Sequence, residues 1–170
     1  YNSQPITPSG KIGQIHHLFK HQPFPLNLSG TFSNTIVKVA GAIGDLPNLD
    51  GIDLKFDASG QDLSEFGPII GQKLPKTDHF VLKGHSTGSA KFLSLREAQG
   101  NANWGSMSVT VNGSIKDLLT LSDMDLNSEL TGKDLAEFGV VIQEKLPATD
   151  EFEIQGRLIG STDMLGLKGA

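Results

Sequence analysis

Three histidines near the start of the chain, His16, His17 and His21, have the residue type and spacing that first suggest metal chemistry. His17 and His21 are four positions apart, so both imidazoles would lie on one face of a helix, as paired zinc ligands do. A third ligand is not identifiable, and Pro23 and Pro25 follow at once, where they would interrupt a helix. We therefore predict a solvated histidine cluster, with no metal site and no cofactor.

Four acidic residues could instead serve in general acid–base catalysis: Asp62, Glu65, Asp134 and Glu137. Asp62 precedes an apolar run and Glu65 follows three residues later, which is the pattern of a helix N-cap and its capping-box partner. Asp134 and Glu137 repeat the arrangement, and this duplication favours a structural role. Phosphate-binding loop patterns are missing from the sequence. We predict no catalytic residues and no enzyme activity.

The composition narrows the possible partners and the size of the core. The 170 residues have a formal net charge of −5 without a basic cluster, which argues against nucleic acid or an anionic membrane surface as the partner. Apolar residues make up 37% of the chain and aromatic residues 6%, so we expect a thin core. Cysteine is absent, and no run of about 18 apolar residues could span a bilayer. Because the chain begins at Tyr1 and a repeat restarts near its end, we expect a piece of a longer protein.

An internal repeat is the strongest signal in the sequence. Residues 62–88 match residues 134–160 at an offset of 72, with 14 identities in 27 positions, and the flanking glycines keep the same offset. A third copy is suggested by residues 26–30, which resemble residues 80–84 at a spacing of only 54. We therefore predict a lead-in of unassigned structure at 1–20, a shortened first unit at 21–76, a second unit at 77–148 and the start of a third at 149–170.

At one end of each unit, apolar residues recur with a period of about 3.6, which is typical of an α-helix. Leu63, Phe66, Ile70 and Leu74 form the apolar stripe of a three-turn helix, and residues 135–146 repeat it. Pro75 and Pro147 should end the two helices, whereas Pro68 should kink or break the first.

In the rest of each unit, apolar and polar residues alternate with a period of two. This alternation predicts glycine-bounded strands at residues 36–39, 53–56, 80–82, 91–95, 107–111 and 125–130. Asn112-Gly113 after an alternating run predicts a type I′ hairpin turn. The fold class is mainly β with short helices: antiparallel β-meander units forming a curved open sheet or groove, with one short helix per unit.

The alternation makes one face of the predicted sheet apolar, and one short helix per unit can cover only a small part of that face. We expect that face to be closed by sheet curvature or left open to an apolar ligand. Apolar residues that alternate in this way more often belong to an ordinary hydrophobic core than to a lipid-binding groove. The candidate groove residues are Phe56, Phe80, Leu82, Phe92, Leu95, Val109, Val111, Leu126, Leu130, Phe152 and Ile154.

The repeated motif resembles a known family. Asp-Leu-x-Glu-Phe-Gly, followed by Leu-Pro-x-Thr-Asp-x-Phe-x-Leu/Ile-x-Gly, at 62–84 and 134–156, is similar to the repeat of the AsmA family of bacterial envelope proteins. The resemblance implies a periplasmic segment whose parent protein is anchored in the inner membrane by an N-terminal helix outside this chain. It also implies a long curved sheet with an apolar groove that moves phospholipid between the inner and outer membranes or supports outer-membrane assembly. The family offers no catalytic residues to carry over.

Two readings of function therefore stay open. In the first, the segment binds or conducts phospholipid. In the second, its repeats are a scaffold or spacer that docks protein partners without binding lipid. In either case an exposed edge strand could pair with another copy of the chain.

Overall fold

A computed structural model describes residues 7–14, 22–32, 34–67, 74–142, 144–161 and 164–168 of the chain. They form one antiparallel sheet of ten strands, and the order of the strands in the sheet is their order in the sequence. The prediction of a mainly β protein built as an open antiparallel meander is confirmed. The strands are β1 (Thr7–Ile12), β2 (Phe24–Phe32), β3 (Thr35–Asp45), β4 (Asp50–Gly60), β5 (His79–Ser89), β6 (Leu93–Trp104), β7 (Met107–Asp117), β8 (Ser122–Gly132), β9 (Phe152–Ser161) and β10 (Met164–Lys168).

In the residues that the structure describes, two short helices connect strands at one end of the sheet's strands. A 3-10 helix, Leu63–Phe66, follows β4, and helix α1, Leu135–Ile142, follows β8. The prediction of a three-turn helix is wrong in length for the second copy, because α1 ends before Leu146, which lies in irregular chain. In the first copy Leu74 lies in irregular chain, and residues 68–73 are outside the described part. Helix α1 ends within a run of three β-branched residues, 140–142, which are poor helix formers. Pro68 and Ile70 lie outside the described residues.

The 72-residue repeat is reproduced in the backbone. β3 and β7 begin and end 72 residues apart, and so do β4 and β8. The turns after β3 and β7 place Leu49 and Leu121, which are equivalent, at the same positive φ of 49°. Gly41 and Gly113, also equivalent, have φ of 145° and 149°. The duplicated sequence therefore specifies duplicated turns and kinks.

The hairpin predicted at Asn112-Gly113 is wrong. Gly113 lies inside β7, where its positive φ kinks the strand, and a Cβ there would overlap the carbonyl oxygen of Asp125 on β8. The glycine is thus needed for the close approach of two strands rather than for a turn. The chain reverses later, at residues 118–121.

The first strand falls in the stretch that the sequence left unassigned. β1 pairs with β2 from Thr7 opposite Thr31 to Ile12 opposite Leu26. The predicted limits of the repeat units at residues 20, 76 and 148 remain predictions. His16, His17 and His21 lie outside the described residues.

Candidate functional site: an apolar face between two covered edges

Side chains of the ten strands divide into two faces because the register is nearly unbroken. Val37, Ala58, Leu82, Gly100 and Val111 lie opposite one another on β3 to β7, on the apolar face. Their neighbours one residue along each strand are mostly polar and lie on the opposite face. β-Bulges interrupt the ladder beside β6 without exchanging the faces, since Leu95 and Ile115 pair on the far side of the bulge.

At one end of the strands, the 3-10 helix covers the border of the apolar face near Ala58, Phe80 and Ala102. We call this border the helix edge. Phe80 on β5 is completely buried (0% exposed), and the ring of Phe66 meets it edge to face with centroids 5.8 Å apart. Ala58 and Ala102 complete this cluster, and Leu63 and Trp104 are among the side chains that pack on it. The helix edge is therefore a closed core.

Hydrogen bonds in the chain between β4 and β5 hold the 3-10 helix over the helix edge. The Asp62 carboxylate accepts from the Ser64 amide at 2.9 Å and the Ser64 hydroxyl at 2.6 Å, which confirms the predicted N-cap. These bonds hold the pKa of Asp62 below its usual value, and the bond from the Ser64 hydroxyl has the largest effect. The Leu63 amide donates to the Thr77 hydroxyl at 2.9 Å, which ties the helix to the chain entering β5.

The second copy has the same cap, so its acids also have structural partners. Asp134 accepts from the amides of Ala136 and Thr149, at 2.9 and 3.0 Å, and its role as N-cap is confirmed. Glu137 does not close a capping box. Its carboxylate instead accepts from the Ser106 hydroxyl at 2.9 Å, in the turn between β6 and β7.

The opposite edge, here called the turn edge, has its own cluster. Leu95, Ala98, Ile115 and Met124 are buried there. Leu118 and Leu121, from the turn between β7 and β8, pack against them. The sheet is thus covered at both ends of its strands by local connections.

Between the two edges lies a band of half-buried apolar side chains, here called the open band, which contains Leu82, Val111, Leu126 and Leu130. Glycines make room for it. A Cβ on Gly100 would meet the side chains of Leu82 and Val111, which approach from the strands on either side. Convergence of side chains two strands apart favours a sheet that curves toward this face. The open band can therefore offer apolar contacts to a long, flexible chain.

The structure separates the predicted groove residues into four groups. Phe80 and Leu95 are buried within the two clusters, and Ile154 is exposed on the apolar face of β9. Phe92 lies in the turn before β6 and is 46% exposed. The remaining seven are half-buried on the apolar face: Phe56, Leu82, Val109, Val111, Leu126, Leu130 and Phe152.

Sequence reasoning missed other members of the face. Leu26 and Leu28 on β2, Val39 on β3 and Leu54 on β4 are half-buried and share it by register. The alternation of Leu26 with Leu28 and of Leu54 with Phe56 was the signal that could have found them.

The polar face is joined by ion pairs between strands. Arg157 binds Asp125 through two hydrogen bonds of 2.6 Å, and this lowers the pKa of Asp125. Lys83 pairs with Asp57 at 3.2 Å, and His85 contacts Asp53. Two open depressions of about 430 and 340 Å³ lie mainly on this face, and Thr110 borders both. Amides, hydroxyls and charged side chains line most of the smaller depression, whereas the larger one, bordered by Val81 and Val111, exposes more apolar than polar surface.

Metal chemistry has no support in the part of the chain that the structure describes. No group of three or more histidines and acids there could hold an ion. In the same residues, no helix has the length and hydrophobicity needed to cross a bilayer.

Comparison with known proteins gives one curated relative. The chain is 34% identical over 85 residues to the AsmA family protein YhjG of Escherichia coli (strain K12), a match that covers 49% of this chain and 12% of that protein. No family model matches the chain, and no solved structure matches it. The relative supports the family resemblance of the repeated motif, and the chain corresponds to a small part of the relative's length.

Proposed function

We propose that this segment is part of an AsmA family protein and that it binds phospholipid acyl chains on its open band, as a non-enzymatic part of a periplasmic protein. The similarity to an AsmA family protein supports a role associated with the bacterial envelope. Within that role, the parent protein would conduct phospholipid between the inner and outer membranes and thereby support outer-membrane assembly. The observation that carries the proposal is a band of apolar side chains that stay half-buried, although two of them, Leu82 and Leu126, also pack against the edge clusters.

The energetics of the open band suit a mobile lipid. Each methylene taken out of water contributes about 0.8 kcal/mol, so even a partly buried acyl chain would be held. The binding would be non-directional, because the side chains of the open band, on β5, β7 and β8, are all apolar. A chain could then move along the band without breaking a specific bond.

Photo-crosslinking tests this proposal at two adjacent positions of one strand. Val111 lies on the apolar face and Thr110 on the polar face of β7. We expect a photoreactive residue at 111 to label phospholipid in gently extracted protein, and the same residue at 110 to remain unlabelled. Equal labelling at both positions, or none at 111 together with lipid-free protein in native mass spectrometry, would contradict lipid binding.

The scaffold reading has one observation in its favour, because the two clusters already bury much of the apolar face. It requires that the open band be plain core. Val111→Glu distinguishes the readings: a scaffold should lose most of its stability, whereas a lipid-binding band should tolerate the charge and lose bound lipid. Circular dichroism during thermal unfolding, with lipid measured in the same samples, separates the two results.

A further inference from the structure

Three neighbouring turns expose large apolar side chains along the turn edge. Leu49, Phe92 and Leu119 are 42%, 46% and 54% exposed, and they lie in the turns β3–β4, β5–β6 and β7–β8. In an antiparallel meander these alternate turns share one end of the strands. We call these three side chains the apolar rim.

The turns of the rim are tied to one another by backbone hydrogen bonds. The amide of Ala90 donates to the carbonyl of Leu49 at 2.9 Å, and the amide of Leu118 donates to the carbonyl of Leu93 at 2.6 Å. The rim is therefore one continuous structure rather than three separate loops.

Local hydrogen bonds also fix how the rim residues are presented. Asp117 accepts from the amide of Leu119 at 3.0 Å and from the Thr120 hydroxyl at 2.9 Å. Leu49 has a left-handed backbone, with φ of 49°, which is uncommon for a leucine. Because Leu49, Phe92 and Leu119 lie in adjacent turns, they form an exposed apolar patch of the kind that marks an interaction surface.

The apolar rim is continuous with the proposed lipid site. In the turn that exposes Leu119, the flanking Leu118 and Leu121 pack into the buried cluster of the turn edge. Leu126, which packs against the same cluster, also belongs to the open band. An apolar path thus leads from the rim to the middle of the face.

Size and charge favour a membrane surface over a protein as the partner. Stable protein interfaces bury about 800 Å² on each partner, far more than three half-exposed side chains provide. Single apolar side chains can enter the headgroup region of a bilayer without a matching pocket. Asp45, Asp50, Asp117 and Asp123 outnumber Lys91 and Lys116 around the rim, so anionic lipid is not attracted to it.

We infer that the apolar rim docks on the surface of a zwitterionic bilayer and so provides the entry for phospholipid into the open band. This inference rests on the proposed function for its second half only. Docking itself is a property of the three exposed side chains and can be measured without lipid in the band.

A fluorescent label at a single position tests the docking. The chain has no cysteine, so Leu119→Cys offers one attachment site for an environment-sensitive dye. Ile36→Cys is the matched control, because Ile36 is 49% exposed on the polar face of β3. With phosphatidylcholine vesicles we expect a blue shift at 119 and none at 36. No shift at 119, or an equal shift at both positions, would overturn the inference.

Vesicle flotation with side-chain truncation gives an independent measurement. The combined variant Leu49→Ser, Phe92→Ser and Leu119→Ser should weaken binding to phosphatidylcholine vesicles at least about tenfold, whereas Ile36→Ser should leave it unchanged. Adding phosphatidylglycerol should not strengthen binding, and a requirement for it would overturn the zwitterionic assignment. Leu119→Ser alone, at the most exposed position, repeats the test with least risk to folding.

The two proposals fail in different ways. If the rim docks but photo-crosslinking at position 111 finds no lipid, lipid binding in the open band is wrong and docking stands. If lipid is found in the band and the truncated rim floats with vesicles as the unmodified chain does, docking is wrong and the proposed function stands.

Discussion

The two copies of the repeat share their strands, kinks and helix caps but differ in the type of helix and in their interiors. Asp62 and Asp134 cap their helices in the same way, and Thr77 and Thr149 each accept the amide that follows the cap, at 2.9 and 3.0 Å. Gly41 and Gly113 kink equivalent strands. A few residues with special backbone or capping roles therefore specify the unit.

The side chains on the apolar face are less constrained. Thr35 in the first copy corresponds to Met107 in the second, and both are buried. Phe80 is completely buried, whereas the equivalent Phe152 is half-buried. Phe80 has strands paired on both sides, while the described pairing of β9 with β10 ends at Arg157 and does not reach Phe152. Burial in a single-layer sheet thus depends on the neighbouring strands as much as on the helix.

The kink glycines should be the most sensitive positions if they specify the unit. Gly113→Val places a side chain against the Asp125 carbonyl and at a positive φ, so we expect a loss of about 4 kcal/mol or more in the free energy of unfolding. Gly166→Ala is the control, because its Cβ would meet only the Ile159 carbonyl oxygen at 3.6 Å. Urea denaturation measures both, and similar losses would contradict the role of the kink.

The two equivalent phenylalanines should differ in their contribution to stability. Phe80→Ala should cost about 3–4 kcal/mol, because the ring is fully buried beneath Phe66. Phe152→Ala should cost about half as much, because its ring is half-buried. Equal costs, measured as urea midpoints at constant slope, would mean that the helix rather than the neighbouring strands sets the burial.

Thr35 offers a gain in stability. Its hydroxyl is buried and has no hydrogen-bond partner in the part of the chain that the structure describes. Thr35→Val keeps the shape and removes the unpaired group, so we expect stabilisation by about 1–2 kcal/mol. Thr31→Val, at an exposed position on the polar face of β2, should change little. A melting temperature that falls in Thr35→Val would contradict the assignment.

The smallest expected effect is electrostatic and depends on pH. Arg157 lowers the pKa of Asp125, so this carboxylate stabilises the fold above its unfolded pKa near 3.8 and loses that contribution as the pH falls through the lower folded value. The difference in melting temperature between the unmodified chain and Arg157→Gln should therefore be present at neutral pH and shrink under acid conditions. A difference that stays constant down to strongly acid pH would exclude an ionic origin.

The sequence predicted the features that depend on patterns repeated along the chain. Alternation in residues 53–56 and 107–111 placed these segments in strands, and the duplicated Asp62 and Asp134 were correctly predicted as caps. Asn112-Gly113 misled because a glycine with positive φ serves a kink as well as a turn, and only the partner strand decides between them. Phe92 was predicted to lie on a strand for a related reason, since the position at which the chain leaves β5 depends on its pairing.

The strict sequential order of the strands has a consequence for how the molecule forms. Every strand bonds only to the segments made just before and just after it, so contacts join residues that are near one another along the chain. Such a topology can fold progressively from one end, each hairpin adding to the last, without waiting for a distant part of the polypeptide. Lengthening the protein by further duplications would then leave the assembly of the existing part unchanged.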